Sequence, residues 1–156
     1  MSDAQSAAAE GRLSAIHVLE YPYTRSVGPV IGRFLTGLRD GRIEGTRTAS
    51  GRVLVPPSEY DPETAATLDE FVEVADRGEV TSWSWVAKPR AQHLLDRPFA
   101  FALVKLDGAD TGLLHMVDCG DPARMRTGMR VRANWRDERE GAIGDIVCFV
   151  PEEEGT

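Results

Sequence analysis

The chain has 156 residues, 42% hydrophobic and 28% charged, with a formal net charge of −7. This is enough for one soluble globular domain, or one with a small appendage, and its acidic balance argues against broad nucleic-acid binding. No apolar run approaches the roughly 18–20 residues of a membrane span, and Met1 to Arg12 lacks the apolar centre of a secretory leader, so a cytoplasmic protein is expected.

Residues 1 to about 15 lack periodicity and read as a tail, or as a helix formed only on binding. Ile16, Val18 and Leu19, then Tyr21-Pro22-Tyr23, make an apolar, proline-interrupted segment, extended over the domain or over a partner. Pro29 suits a first helical turn, where its missing N–H is not needed. Val30, Phe34, Leu35 and Leu38 follow at i, i+4, i+5 and i+8, an apolar helical stripe, and Gly41 closes the helix. A helix this short must bury that stripe against something.

Gly45 to Thr64 reads as a short hairpin with a glycine turn and Pro56-Pro57. Beyond it the chain alternates as strands. Residues 71–75 form one; in 79–87, Thr81, Trp83, Trp85 and Ala87 share one face and Val80, Ser82, Ser84 and Val86 the other. A loop from Lys88 to Pro98 precedes Phe99–Leu106, apolar on both faces except at Lys105. After the turn Asp107–Gly112, strands are expected at Leu113–Asp118, Met129–Arg136 and Asp145–Val150. Five or six short strands with glycine turns suit a small Greek-key barrel of the OB type.

The hairpin resembles the knuckle pair of a small zinc ribbon, in which two cysteine pairs hold one metal. On that frame the ligand positions are Arg47, Ser50, Asp61 and Thr64, and none is cysteine. Zinc wants four deprotonated ligands, and a fixed guanidinium repels it, so no metal and no other cofactor is expected. Asp61 pairing with Arg47 is one way to replace the metal link. Together with Phe34-Leu35-Thr36-Gly37-Leu38-Arg39-Asp40-Gly41-Arg42-Ile43 and the segments 72–85, 98–108 and 127–132, the chain resembles the zinc-ribbon/OB-fold accessory proteins of thiolase-type enzymes over residues 28 to 151. The resemblance implies four parts: an extension at 1–27, a helix and degenerate ribbon at 28–66, an OB domain at 67–151 and an acidic end at 152–156.

By the same resemblance, the chain is a non-catalytic subunit that binds a thiolase-like, lipid-transfer-type enzyme in a hetero-oligomer and helps form its acyl-CoA site. The joint reaction would be carbon–carbon cleavage or formation on an acyl-CoA, including retro-aldol shortening of a steroid side chain. Phe34, Leu35, Leu38 and Arg42 are the implied partner-binding residues. Their own motifs give no catalytic residue: there is no nucleophile elbow, phosphate loop or dinucleotide fingerprint.

Arg124, Arg126, Arg130, Arg132, Arg136 and Arg139 crowd sixteen residues, with Arg130, Arg132 and Arg136 assigned to one exposed strand face. They suit a solvated or partner-facing surface, contact with the phosphates of coenzyme A, or a single-stranded nucleic-acid groove, the alternative function. Arg130, Arg132, Arg136 and, in the 88–98 loop, His93 are the candidate acyl-CoA contacts. His115 reads as a packed strand histidine. Asp107 and Asp110 read as turn aspartates, and Cys119 and Cys148 as buried free thiols. Trp83 and Trp85 suit either a core layer or an interface anchor.

Overall fold

The computed structural model describes residues 15–152. The expectations for residues 1–14 and for the acidic residues 153–156 lie outside them. The elements are α1 (Gly28–Arg39), β1 (Ile43–Arg47), β2 (Val53–Leu54), β3 (Phe71–Val74), β4 (Arg77–Val86), β5 (Phe99–Leu106), β6 (Gly112–Val117), β7 (Arg130–Trp135) and β8 (Ile146–Pro151). Short 3-10 turns lie at Pro122–Arg124 and Ile143–Asp145. β4 to β8 close a barrel in the order β4-β5-β6-β8-β7, the OB-type Greek key expected from the strand pattern. Among the described residues no helix is long and apolar enough to cross a membrane.

β2, β1 and β3 form a separate three-stranded sheet. Residues 71–74, expected as the first barrel strand, pair antiparallel with β1 instead, Phe71 opposite Thr46 and Val74 opposite Ile43. The barrel therefore begins only at Arg77.

The alternation expected along β4 fails at one point. Val80 pairs with Val104, yet Ser82 pairs with Leu103, so Thr81 is an extra residue in a β-bulge. One inserted residue reverses the phase of a period-2 strand. Val80 before the bulge and Trp85 after it can thus both pack on the barrel core. Trp85 is half-buried there, whereas Trp83 is 36% exposed.

α1 begins at Gly28 with Pro29 in its first turn. It ends in a Schellman pattern: Gly41 N–H donates to the Leu38 carbonyl and Arg42 N–H to that of Gly37, with Gly41 at φ +76°. Its stripe is used within the chain. Phe34 (3% exposed) and Leu38 (0%) join the same core cluster as Ile43, Val53, Val55 and the barrel valines. The expectation that both anchor a partner is therefore corrected: the three-stranded sheet and barrel supply the covering surface that a helix standing outside a small barrel would lack. Leu35 is half-buried against that cluster, and Arg42 stays exposed beside Asp40 and Glu44.

The buried Glu44 carboxylate receives Arg33 Nε (3.2 Å) and Nη2 (2.9 Å), and Arg33 also lies 4.0 Å over the Phe71 ring. The Arg33 hydrogen bonds hold the Glu44 pKa below the usual carboxylate range against the effect of burial. Helix, β1 and β3 are thereby tied at one point.

The Asp61–Arg47 pair does not form. Arg47 donates to Glu70 (2.8 Å) and to the Gly51 carbonyl, while Asp61 accepts the N–H groups of Glu63 and Thr64, closing its own turn. The β1–β3 pairing brings Glu70 beside Arg47, since Arg47 N–H also donates to the Glu70 carbonyl. The hairpin is held to the barrel from the 107–111 turn. Asp110 Oδ2 accepts Val53 N–H (2.8 Å), and Thr111 Oγ1 bonds both N–H and C=O of Val55. Asp110 therefore joins the two sheets rather than closing its own bend.

Candidate functional site

An open groove on the outer side of β7 is lined by Arg124, Arg126, Arg130 and Arg132 with Met129, Val150, Pro151 and Glu152. Two local features position the arginines. Asp121 accepts Ala123 N–H (2.7 Å) and so starts the Pro122–Arg124 turn that carries Arg124. Alternation along β7 buries Val131 and Ala133 and turns Arg130 and Arg132 outward.

These four cations are not equivalent. Arg130 is clamped by both Asp107 oxygens, at 2.7 and 2.6 Å, and reaches Glu152 at 3.2 Å. The pairing raises the Arg130 pKa above its already high ordinary value and holds that of Asp107 below the usual carboxylate range. Arg130 is thus a fixed member of the wall. Among the described residues Arg124, Arg126 and Arg132 form no ion pair. With one carboxylate in the lining, Glu152, already shared by Arg77 and Arg130, the groove is a net cationic surface on an acidic chain.

Arg136 and His93 do not belong to it. β7 ends at Trp135 after a register shift, so Arg136 leaves the strand face assigned to it and is half-buried, its N–H on the Asp145 carbonyl. His93 sits edge-on to Phe99 (5.2 Å) and Phe101 (5.7 Å), with Nδ1 accepting Arg90 N–H. It closes the 88–98 loop over a second apolar cluster of Leu95, Phe99, Met116 and Cys148 outside the barrel. That loop explains why β5 is apolar on both faces. Arg124 and Arg126 take the places of these two residues in the groove; the clustering of arginines marked them, but a turn, not a strand, aims them.

Next to the barrel's other end, Asp145 is fully buried, and its carboxylate accepts N–H from Glu140, Gly141 and Ala142. Burial opposes its ionisation, but those three bonds prevail and leave its pKa lowered. His115 packs beneath this loop against Phe149, its Nδ1 accepting Met116 N–H (2.9 Å), and burial lowers its pKa. Both thiols are free and buried, as expected. Cys148 lies in the second cluster, and burial pushes the pKa of each thiol up.

In the small sheet, the turns carrying Arg47, Thr48 and Ala49 and carrying Asp61 flank one polar cleft, with Thr67, Asp69 and Glu70. Ser50 bonds Thr48, and Thr64 N–H bonds Asp61. Among the described residues no three His, Cys, Asp or Glu side chains converge as a metal-ligand set.

Comparison with known proteins agrees with the resemblance read from the sequence. Residues 71–136 match the family model of the ChsH2 C-terminal OB-fold domain. No curated protein matches the chain in sequence. Among solved structures, the chain is similar to an Ltp2-ChsH2(DUF35) aldolase, with 21% identity over 82% of this chain and 98% of that one and a TM-score of 0.61. It is also similar to a DUF35-family protein of unknown function from Sulfolobus solfataricus, with 22% identity over 68% and 78% and a TM-score of 0.55. The barrel of this chain thus has the OB fold, and residues 71–136 are similar to the C-terminal domain of ChsH2.

Proposed function

We propose that this chain is a ChsH2-like, non-catalytic subunit of a hetero-oligomeric acyl-CoA aldolase, joined to a thiolase-like enzyme of the lipid-transfer type. The observation that carries the reading is the match of residues 71–136 to the ChsH2 OB-fold model, on a chain whose fold is similar to that in an Ltp2-ChsH2(DUF35) aldolase. The groove supports a role beside an anionic substrate. Arginine grips phosphate oxygens bidentately, so Arg124, Arg126 and Arg132 would face the phosphates of coenzyme A, with Arg130 as a fixed wall. The carbon–carbon bond would be cleaved on the partner, which would supply the base that takes the β-hydroxyl proton and the acid that protonates the departing thioester enolate; a β-hydroxyacyl thioester would leave as a carbonyl compound and a shortened acyl-CoA. Carried over from the resemblance, the acyl group is a steroid side chain, the compartment is cytoplasmic, and the small sheet is a ribbon without metal.

The nucleic-acid reading needs charge and stacking aromatics on one surface. Here neither Trp83 nor Trp85 lines the arginine groove. The test is reconstitution: this chain and an Ltp2-type subunit from the same cell, separately and together, assayed for aldol cleavage of a β-hydroxyacyl-CoA. Activity is expected only from the complex, or much increased by it. A partner fully active alone, or turnover by this chain alone, overturns the reading.

A further inference from the structure

The segment before α1 is apolar and unused by the fold. Ile16, Val18, Leu19, Tyr21, Tyr23 and Val27 are 54–96% exposed, and residues 15–27 are all exposed. The sequence left two placements, over the chain's own domain or over a partner. The first is not adopted among the described residues, where the one backbone–backbone hydrogen bond of the segment runs from Tyr23 N–H to the Tyr21 carbonyl. The arginine groove of a second copy offers a poor seat, because cationic side chains line most of it. Leu103 and Leu114, exposed cross-strand neighbours, stand on the outer, convex face of the barrel.

We propose that residues 15–27 are a docking strap that lies in an uncharged, apolar groove of the thiolase-type partner; this rests on the subunit reading above. Charge in the strap is sparse, Glu20 and Arg25, so its recognition is apolar and aromatic. Tyrosine is over-represented among residues that dominate binding, and Pro22 between the two tyrosines restricts the free segment and lessens the entropy lost on ordering. Phe34 and Leu38 fix α1 to the core, so the strap springs from a rigid point at Gly28. Partner contact at the body of the chain would then hold the strap at high effective concentration over its groove.

The experiment compares wild type with L19S and with Y21S/Y23S, each alone and with the Ltp2-type subunit of the same cell, by calorimetric titration, light scattering and amide exchange. Alone, the variants should keep the wild-type Tm, since these side chains are exposed. With the partner, affinity should fall at least about 100-fold, and exchange over 16–27 should slow only in the wild-type complex. A wild-type complex with variants of equal affinity overturns the strap and leaves the subunit reading standing. Failure of the wild-type chain to bind overturns both. Self-association of the chain alone that the variants abolish overturns the choice of a different protein as occupant, and a lowered Tm overturns the exposure argument itself.

Discussion

Asp145 and His115 both accept backbone N–H groups, and both lose that bonding when protonated. The Asp145 carboxylate takes three backbone N–H groups that have no other partner in its turn. Asp145→Ala should therefore destabilise the protein by about 2–4 kcal/mol, read by chemical denaturation. His115 is neutral in the fold, because its Nδ1 already accepts an N–H and its surroundings are desolvated. Its folded pKa is lowered, so the unfolded chain takes up the proton first. Stability is full above the unfolded value of about 6.5 and declines as pH falls from there toward the folded value. Asp145, with a lowered folded pKa, adds a second loss below about pH 4. Tm against pH should show both steps, and His115→Gln should flatten the upper one. That His115 is packed was legible from its apolar strand. That Arg47 chooses Glu70 over Asp61 was not, because strand register decides which of several carboxylates comes within reach.

At the level of elements, the helix is the most instructive. Its apolar spacing, its start at Pro29 and its end at Gly41 were all legible, because each is local chemistry. What the stripe covers was not. Phe34→Ala should cost about 3–5 kcal/mol of domain stability through the cavity it leaves, measured by urea unfolding of the isolated chain. Weakened partner binding at an unchanged Tm would instead restore the interface role. β4 carries a similar lesson. A side chain at Gly78 would place Cβ 2.1 Å from the Lys105 carbonyl, inside the β4–β5 ladder. Gly78→Ala should therefore lower stability by more than about 2 kcal/mol or prevent folding, whereas Gly51→Ala, with open space around it, should suffer only from its backbone conformation.

For the whole molecule, three arginines without an ion pair among the described residues, Arg124, Arg126 and Arg132, share one groove of an acidic chain. Arg124→Glu, Arg126→Glu and Arg132→Glu combined should leave the Tm nearly unchanged, since none forms an ion pair among the described residues. The same triple variant should raise the KM of the reconstituted complex for acyl-CoA at least tenfold, with the wild-type advantage shrinking as salt is added. An unchanged KM would remove the groove from the substrate's path. The lack of cysteine at Arg47, Ser50, Asp61 and Thr64 predicts no stoichiometric zinc and an unaltered Tm in chelator. About one zinc per chain, lost together with the fold, would reverse it, since a structural zinc contributes on the order of 10 kcal/mol.

The sequence by itself determined the helix, the strand pattern, the OB class and the family it resembles, because propensity, turn residues and alternation act over a few neighbours. Only the tertiary structure decided where those elements went. It placed Phe71–Val74 in the small three-stranded sheet, inserted Thr81 as a bulge and buried Phe34 and Leu38. It also gathered Arg124 and Arg126 with Arg130 and Arg132, while leaving Arg136 and His93 elsewhere. Each of these depends on contacts between residues distant in the chain, whose register and closure no local pattern encodes.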